Sequence, residues 1–270
     1  MSLAELSVII PCYRCADTIE RAVASVDAQT MRPTELILVD DCSDDGTVQA
    51  LKSVQMTYGN EWIKVVCLDV NRGCGGARNG GWDIATQPYV AFLDADDAWE
   101  PQKIEIQLGW MKSHPEVLYT GHPFRVLAYG NDNRPVYFTG QSKFTRIRAL
   151  RLLLSNQITA SSMMAKREMP YRYEFGRRRT EDYMLSCAIC LDGNAIYRCE
   201  KKLGIHFKAV YGEGGLSDDL WLMEKSELSV YRNLYRTQRL NMISLPFLYA
   251  WSLIRYIRRF FIVAWVRLRR

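Results

Sequence analysis

Three aspartates within four residues, Asp94, Asp96 and Asp97, stand at the end of the apolar run Tyr89 to Leu93 in the stretch YVAFLDADDAWE. The run reads as a strand that delivers the acids to the turn at its end. Like charges this close repel, so the cluster is tolerable only where water or a cation neutralises it. Hard carboxylate oxygens at a strand end suit Mg²⁺ or Mn²⁺ bridging to a phosphate. The same residues also have an ordinary reading: a solvated turn ahead of a helix beginning near Pro101, with Asp97 or Glu100 favouring its N-terminus. The tripeptide alone does not choose between the two.

Two further groups carry chemistry. Asn71 to Gly81, NRGCGGARNGG, reads as a flexible loop holding Arg72 and Arg78, in which glycines allow close backbone approach to a ligand and an arginine can pair with phosphate. It is not a dinucleotide fingerprint, because counting from Gly73 and Gly75 the third required glycine is Arg78, and no Gly-Lys-Ser/Thr tripeptide makes it a P-loop. Glu181 and Asp182 follow Thr180, which as an N-cap with acids in the first turn would account for both as a helix start.

The elements that must position these residues are legible from the apolar runs. Leu6 to Ile10, ending at Pro11, reads as a buried parallel strand, and Asp17 to Ala28 as a helix capped by Asp17. Glu35 to Val39 is a second strand ending in Asp40 and Asp41, with a helix from about Thr47, and Ile63 to Leu68 is a third strand. Repeated strand, loop and helix units predict an α/β domain with a parallel sheet, whose ligands bind beyond the carboxyl ends of the strands. Every polar cluster in the first hundred residues falls at such an end.

The 270 residues, 48% hydrophobic and 24% charged, suffice for one large globular domain with an appendage. Net charge is +5, yet nine arginines and no lysine or acid follow Glu227, so the body is net acidic and the basicity belongs to the tail. That distribution argues against nucleic acid and for an anionic surface near the C-terminus. With eight cysteines and no signal peptide ahead of the first strand, a reduced cytosolic chain is expected, and Cys12/Cys15 and Cys187/Cys190 read as packing residues before they read as zinc ligands.

VIIPCYR, VDDCSDDGT, NRGCGGARNGG and FLDADD, in this order and at these intervals, resemble the nucleotide-binding half of a family 2 glycosyltransferase with the GT-A fold, of the bacterial surface-polysaccharide type. TEDYMLS at Thr180 to Ser186 is similar to that family's Glu-Asp motif, extending the resemblance over about residues 6–220. It implies a Rossmann-like, mainly parallel sheet flanked by helices over residues 1–225, with a donor half to about residue 100 and an acceptor half at 101–225. It also implies residue roles. Pro11 and Tyr13 would border the base, and Asp41 would accept the uracil N–H. Arg78 would face the donor diphosphate, with Asn79 shaping its loop and Ala95 lining the donor site. Asp94 would lie near ribose and metal, and Asp96 would ligate Mn²⁺ or Mg²⁺. Asp182 would be the general base of an inverting transfer, oriented by Glu181. The donor implied is a UDP-sugar, and the acceptor a lipid-linked saccharide.

Other stretches in the second half carry weaker signals. Phe144 to Leu154 is basic and apolar at helical intervals, ITASSMMAKRE resembles the strand leading to the acceptor site, and Arg177 to Arg179 read as a solvated turn or as an attraction for a phosphate-bearing acceptor. The family's metal-touching histidine has no clear counterpart in HFKAVYGEGGLS, so His206 reads as an ordinary histidine, and Gly212 to Ser217 as a mobile flap. In residues 226–270, SVYRNLYRTQRLNMI reads as a helix interrupted at Pro246. Phe247 to Arg270 then reads as an interfacial amphipathic helix, its aromatic face in the bilayer and its arginines on anionic lipid, with packing on the main domain or another subunit as the alternative. The expected place is the inner face of the cytoplasmic membrane. A sugar-nucleotide pyrophosphorylase would need a glycine-rich, lysine-containing loop that CYRCADT lacks, and a non-catalytic carbohydrate-binding protein on the same fold is the remaining alternative.

Overall fold

The computed structural model describes residues 3–127, 134–207 and 219–268, with side chains through residue 263. The first half alternates strand and helix: β1 (Ala4–Cys12), α1 (Ile19–Asp27), β2 (Pro33–Asp40), α2 (Thr47–Tyr58), β3 (Ile63–Cys67), α3 (Gly73–Ile84) and β4 (Tyr89–Phe92). The second half is less regular: β5 (Asp97–Trp99), α4 (Lys103–Ser113), β6 (Tyr119–Gly121), β7 (Phe124–Val126), β8 (Phe144–Ile147), α5 (Ala149–Leu154), a 3₁₀ turn (Ala160–Ser162), β9 (Met164–Lys166), α6 (Glu181–Leu191), β10 (Ile196–Cys199), β11 (Gly204–His206), α7 (Leu220–Arg236) and α8 (Ser244–Leu268).

Eight strands form one sheet in the order β3-β2-β1-β4-β9-β6-β10-β8. β1, β2, β3 and β4 run parallel, β9 lies antiparallel between β4 and β6, and β8 closes the edge antiparallel to β10. The strands read as unbroken apolar runs because both faces are covered. Leu6, Val8 and Ile10 enter one core and Ile9 the other; Leu36 and Leu38 divide likewise from Ile37 and Val39. A smaller sheet, β5-β11-β7, stands beside the acids.

Four expectations are corrected. The glycine-rich segment is not a loop from Gly73 onward but the helix α3, where absent side chains permit close packing: a Cβ on Gly81 would meet Ile9 Cγ2 at 2.6 Å, and one on Gly75 would meet Tyr173 Cβ at 3.2 Å. Phe144 to Leu154 is not one helix but β8 followed by α5, since Thr145 and Arg146 pair across to β10. A strand, β5, which begins at Asp97 itself, stands between the other two aspartates and α4. The division expected at 225/226 falls inside α7, and Pro246 sits in the first turn of α8, where a missing N–H costs nothing.

The tail also differs in which face is covered. Leu248, Ser252, Arg255 and Arg259 face the protein: Arg259 Nη2 lies 2.9 Å from Glu224 and 3.4 Å from Glu227, and Arg255 Nη1 lies 2.7 Å from Glu227 and 2.8 Å from the Leu154 carbonyl. These two arginines therefore answer acids of α7 instead of meeting lipid. What α8 leaves exposed is apolar: Phe247, Trp251, Ile254, Phe260 and Phe261 among others, with Arg258 also exposed. The side chains of Trp265, Arg267, Arg269 and Arg270, and the expected flap at Gly212 to Ser217, lie outside the described residues.

Candidate active site

The acids meet where the parallel strands end. Asp94 follows β4 and donates its N–H to Ser161 Oγ at 3.0 Å, while Trp99 Nε1 donates to the Ser161 carbonyl at 3.0 Å, so the 3₁₀ turn is stitched to both sides of the acidic segment. One Asp94 oxygen, Oδ1, takes Arg78 Nη2 at 2.6 Å, and Arg78 Nη1 reaches Glu181 Oε1 at 2.7 Å. Arg78 is only 3% exposed, so α3 delivers not an open phosphate hook but a buried cation tying the end of β4 to the start of α6. Burial opposes its charge, yet Asp94 and Glu181 outweigh it and hold the guanidinium protonated.

Asp182 is held by its neighbours on both oxygens. Oδ2 accepts the Ala160 N–H at 3.2 Å and Asn156 Nδ2 at 3.3 Å, and Oδ1 accepts the Tyr183 N–H at 2.7 Å. Burial, then the charge of Glu181, pushes its carboxyl up to about 6. At neutral pH it is a carboxylate with appreciable proton affinity, the condition a general base needs. Thr180 does not cap α6: its φ of 58° is left-handed and its side chain makes no capping bond, a conformation unfavourable for a β-branched residue and held just before the acid pair.

The remaining residues expected on the donor side gather near the carboxyl ends of the parallel strands. Asp41 is buried; its Oδ1 accepts the Arg72 N–H at 2.7 Å ahead of α3, and burial raises its pKa. Asn79 exchanges two hydrogen bonds with the backbone of Tyr173, at 2.9 Å and 3.1 Å, and so locks α3 to the segment preceding α6. Pro11 is buried in β1, Ala95 is buried between the acids, and Tyr13 projects, 44% exposed, from a loop tied to its neighbour by Arg14 and Asp44. Arg177 is engaged by Glu174 at 2.6 Å, whereas Arg178 is exposed. Cys12, Cys15, Cys187 and Cys190 are all free thiols.

One residue that sequence reasoning set aside is brought to the site. His206 pairs in register with Asp97 across β11 and β5, its Nδ1 2.8 Å from Asp97 Oδ1, and its ring stacks on Phe124 at 3.9 Å. Burial pushes Asp97 up to about 6 against the pull of His206, and the charges of Asp94 and Asp96 bear on both groups. Nothing local marks the pair, because it depends on the pairing of strands far apart in the chain.

Among the described residues no three His, Cys, Asp or Glu side chains form a ready cage for a metal ion. A cation of the Mg²⁺ class needs none: it is commonly held by one or two carboxylates and completed by substrate phosphates. Asp94 Oδ2 has no hydrogen bond among the described residues and Asp96 is half-buried beside it, so the hard oxygen donors at the end of β4 fit such an ion.

The comparisons agree with this architecture. The chain is 31% identical over 233 residues to the putative teichuronic acid biosynthesis glycosyltransferase TuaG of Bacillus subtilis, covering 86% of this chain and 88% of that one. It is 28% identical over 190 residues to WfgD of Escherichia coli, named a UDP-Glc:alpha-D-GlcNAc-diphosphoundecaprenol beta-1,3-glucosyltransferase, covering 70% and 71%. Among solved structures, S. aureus TarS 1-349 in complex with UDP-GlcNAc superposes with a TM-score of 0.68 at 19% identity, covering 96% of this chain and 73% of that one. The mannosyltransferase PcManGT of Pyrobaculum calidifontis, in complex with GDP-Man and Mn²⁺, gives 0.64 at 16% identity, covering 94% and 74%. These two likenesses bear out the expected GT-A fold. The family model described as Glycosyl transferase family 2 matches residues 7–200, a span that contains Asp94, Arg78 and Asp182, and the chain belongs to that family.

Proposed function

We propose that this glycosyltransferase moves a sugar from a UDP-linked donor to a saccharide carried on a lipid diphosphate, with inversion at the anomeric carbon, at the inner face of the cytoplasmic membrane. The observation that carries the reading is the Asp94–Arg78–Glu181 bridge, which holds the acids after β4 within one guanidinium of the segment bearing Asp182. The names of WfgD and its Escherichia coli relative WfaP, each a UDP-Glc:alpha-D-GlcNAc-diphosphoundecaprenol beta-1,3-glucosyltransferase, support the donor and acceptor classes.

In this reading Tyr13 and Pro11 flank the base, and Asp41 accepts its N–H. Asp94 and Asp96 would hold Mn²⁺ or Mg²⁺, which when bound supplies positive charge to the departing diphosphate. Asp182 takes the proton of the acceptor hydroxyl as its oxygen attacks from the face opposite the leaving group, and Asn156 and the Ala160 N–H keep the carboxylate aimed. Glu181 neutralises Arg78 and thereby positions Asp182. The exposed apolar face of α8 rests in the interfacial layer of the bilayer, where a soluble donor and a lipid-borne acceptor can meet.

The test is a panel of UDP-sugars with a GlcNAc-diphosphate-lipid acceptor, with Mn²⁺ or with EDTA, and NMR of the new linkage. Transfer that persists unchanged in EDTA removes the metal from the mechanism. A retained anomeric configuration contradicts direct displacement, and no transfer from any UDP-sugar overturns the donor class.

A further inference from the structure

A second concave site lies beyond the acids on the same edge of the sheet. β10 is parallel to β6, and both β6 and β4 are antiparallel to β9, so the Cys199 end of β10 shares the edge of the sheet where β4 delivers Asp94. There a cavity of about 170 Å³ is lined by Arg146, Arg151, Arg198, Thr145, Gln157 and Glu200. That is the liquid volume of about five or six waters, room for phosphate oxygens with some solvent.

The charge in this cavity is unbalanced. None of the three arginines has an ion pair among the described residues, and the one acid, Glu200, is engaged by Lys143 at 3.5 Å and Thr145 at 3.3 Å. Arg198 is half-buried with its Nε enclosed and unpartnered. Burial and the neighbouring Arg151 both push its guanidinium down from its ordinary value, the reverse of what a resident carboxylate would do. Converging guanidinium forks without a protein counter-charge suit a phosphoryl group.

Its surroundings narrow the ligand further. Gln157 follows Asn156, which holds Asp182, so one flank of the cavity is the segment that aims the candidate base. Arg151 belongs to α5, whose last carbonyl, that of Leu154, accepts Trp251 Nε1 at 2.9 Å and Arg255 Nη1 at 2.8 Å from α8. The helix with the exposed apolar face therefore reaches the same segment that lines the cavity. Candidate base, arginine cavity and apolar helix all adjoin the one segment 151–157, which brings together partners for the saccharide, diphosphate and hydrocarbon of a lipid-linked acceptor.

We infer that Arg146, Arg151 and Arg198 bind the diphosphate joining saccharide to lipid in the acceptor, an inference that rests on the acceptor class proposed above. The same chemistry could come from a phospholipid headgroup, and the experiment separates the two. The full chain is assayed in detergent micelles free of phospholipid, with a GlcNAc-diphosphate-lipid acceptor and with the alkyl glycoside of the same sugar. Arg151→Gln should raise KM for the diphosphate acceptor about tenfold, the loss expected for one charge-assisted contact, with kcat nearly constant, and Arg146→Gln/Arg151→Gln should raise it further. KM for the alkyl glycoside should not follow. Arg146 and Arg151 are exposed, so these variants fold, and Arg198→Gln is read only if its melting temperature is unchanged. Equal loss on both acceptors, or unchanged KM on both, overturns the assignment, as does a double variant that loses only vesicle binding. If wild type glycosylates the alkyl glycoside but not the diphosphate acceptor, the acceptor class is wrong, and calorimetry with inorganic diphosphate in EDTA judges the cavity alone. Binding lost in the double variant keeps it as a diphosphate site, and binding equal to wild type removes it.

Discussion

Arg78 and Arg259 each lie almost fully buried between two carboxylates, Asp94 and Glu181 in one case, Glu224 and Glu227 in the other, and each keeps its Nε enclosed without a partner. What differs is the company. The acids around Arg78 lie at a strand end and a helix start, Asp94 is one-third exposed, and Asp182 stands next in the chain. The acids around Arg259 lie on one face of α7, and Glu224 is wholly enclosed. A buried arginine between acids is therefore not by itself a functional sign. It becomes one where a carboxylate of the cluster retains an open side.

The comparison is sharpest in activity. Asp182→Asn should lower kcat by at least about a hundredfold, as expected for loss of a general base, with UDP affinity by calorimetry little changed. Arg78→Gln should cost a similar factor, because it releases both Asp94 and Glu181, while Arg259→Met should leave the rate per folded molecule as in wild type. A rate loss at Arg259 equal to that at Arg78 would erase the distinction.

Stability should answer in the opposite sense. Arg259→Met leaves Glu224 buried without its cation, while Glu227 keeps Arg255, and should cost about 3 kcal/mol in denaturant unfolding, whereas replacing Arg259 and Glu224 together by apolar residues of similar volume should recover most of it. An apolar replacement of Arg78 together with Asp94 and Glu181 can recover stability but not turnover. Recovery of both would show the two clusters to be equivalent.

The pH response separates them next. With its carboxyl at about 6, Asp182 is the base only when deprotonated, so kcat/KM should be level above that value and fall about tenfold per pH unit below it. The residual activity of Asp182→Asn should lack this limb, and Arg259→Met should keep it. A limb that survives Asp182→Asn belongs to another group.

The smallest effect is expected at the membrane. Phe247→Ser/Phe261→Ser, at positions 73% and 66% exposed, should weaken vesicle binding several-fold at unchanged stability, since both rings leave the face proposed to rest in the interfacial layer. Because Arg255 and Arg259 are turned inward, binding should fall with salt less steeply than a face of free arginines requires. A steep salt dependence with no effect of the aromatics would restore the arginines as the anchor.

The sequence made the parallel half of the fold readable because β1, β2 and β4 are buried on both faces and so appear as nearly unbroken apolar runs. It made α3 unreadable for the opposite reason: glycines disfavour a helix locally, and only contact with Ile9, Val39 and Tyr173 makes their small size an advantage. Arg78, Asp94 and Asp182 could be singled out, but not the bridge of Arg78 to Asp94 and Glu181, nor the pairing of His206 with Asp97, which arise where distant segments meet. In the tail a local signal existed. Glu224 and Glu227 are spaced i,i+3 and Arg255 and Arg259 i,i+4, two matching stripes on successive helices that mark an ion-paired interface more than a lipid-facing one.

The insertion of β9 against the direction of its neighbours bears on how the chain finds its shape. Tyr89 pairs with Leu6 on one side and Lys166 on the other, so the strand that ends at the aspartates is secured only after two long loops have closed. Such non-local pairings carry most of the entropic cost of folding a sheet and form late. The acids after β4 are accordingly pressed together only once those loops have closed, and the helix carrying Arg78, which packs on the distant strands β1 and β2, reaches them by the same non-local route.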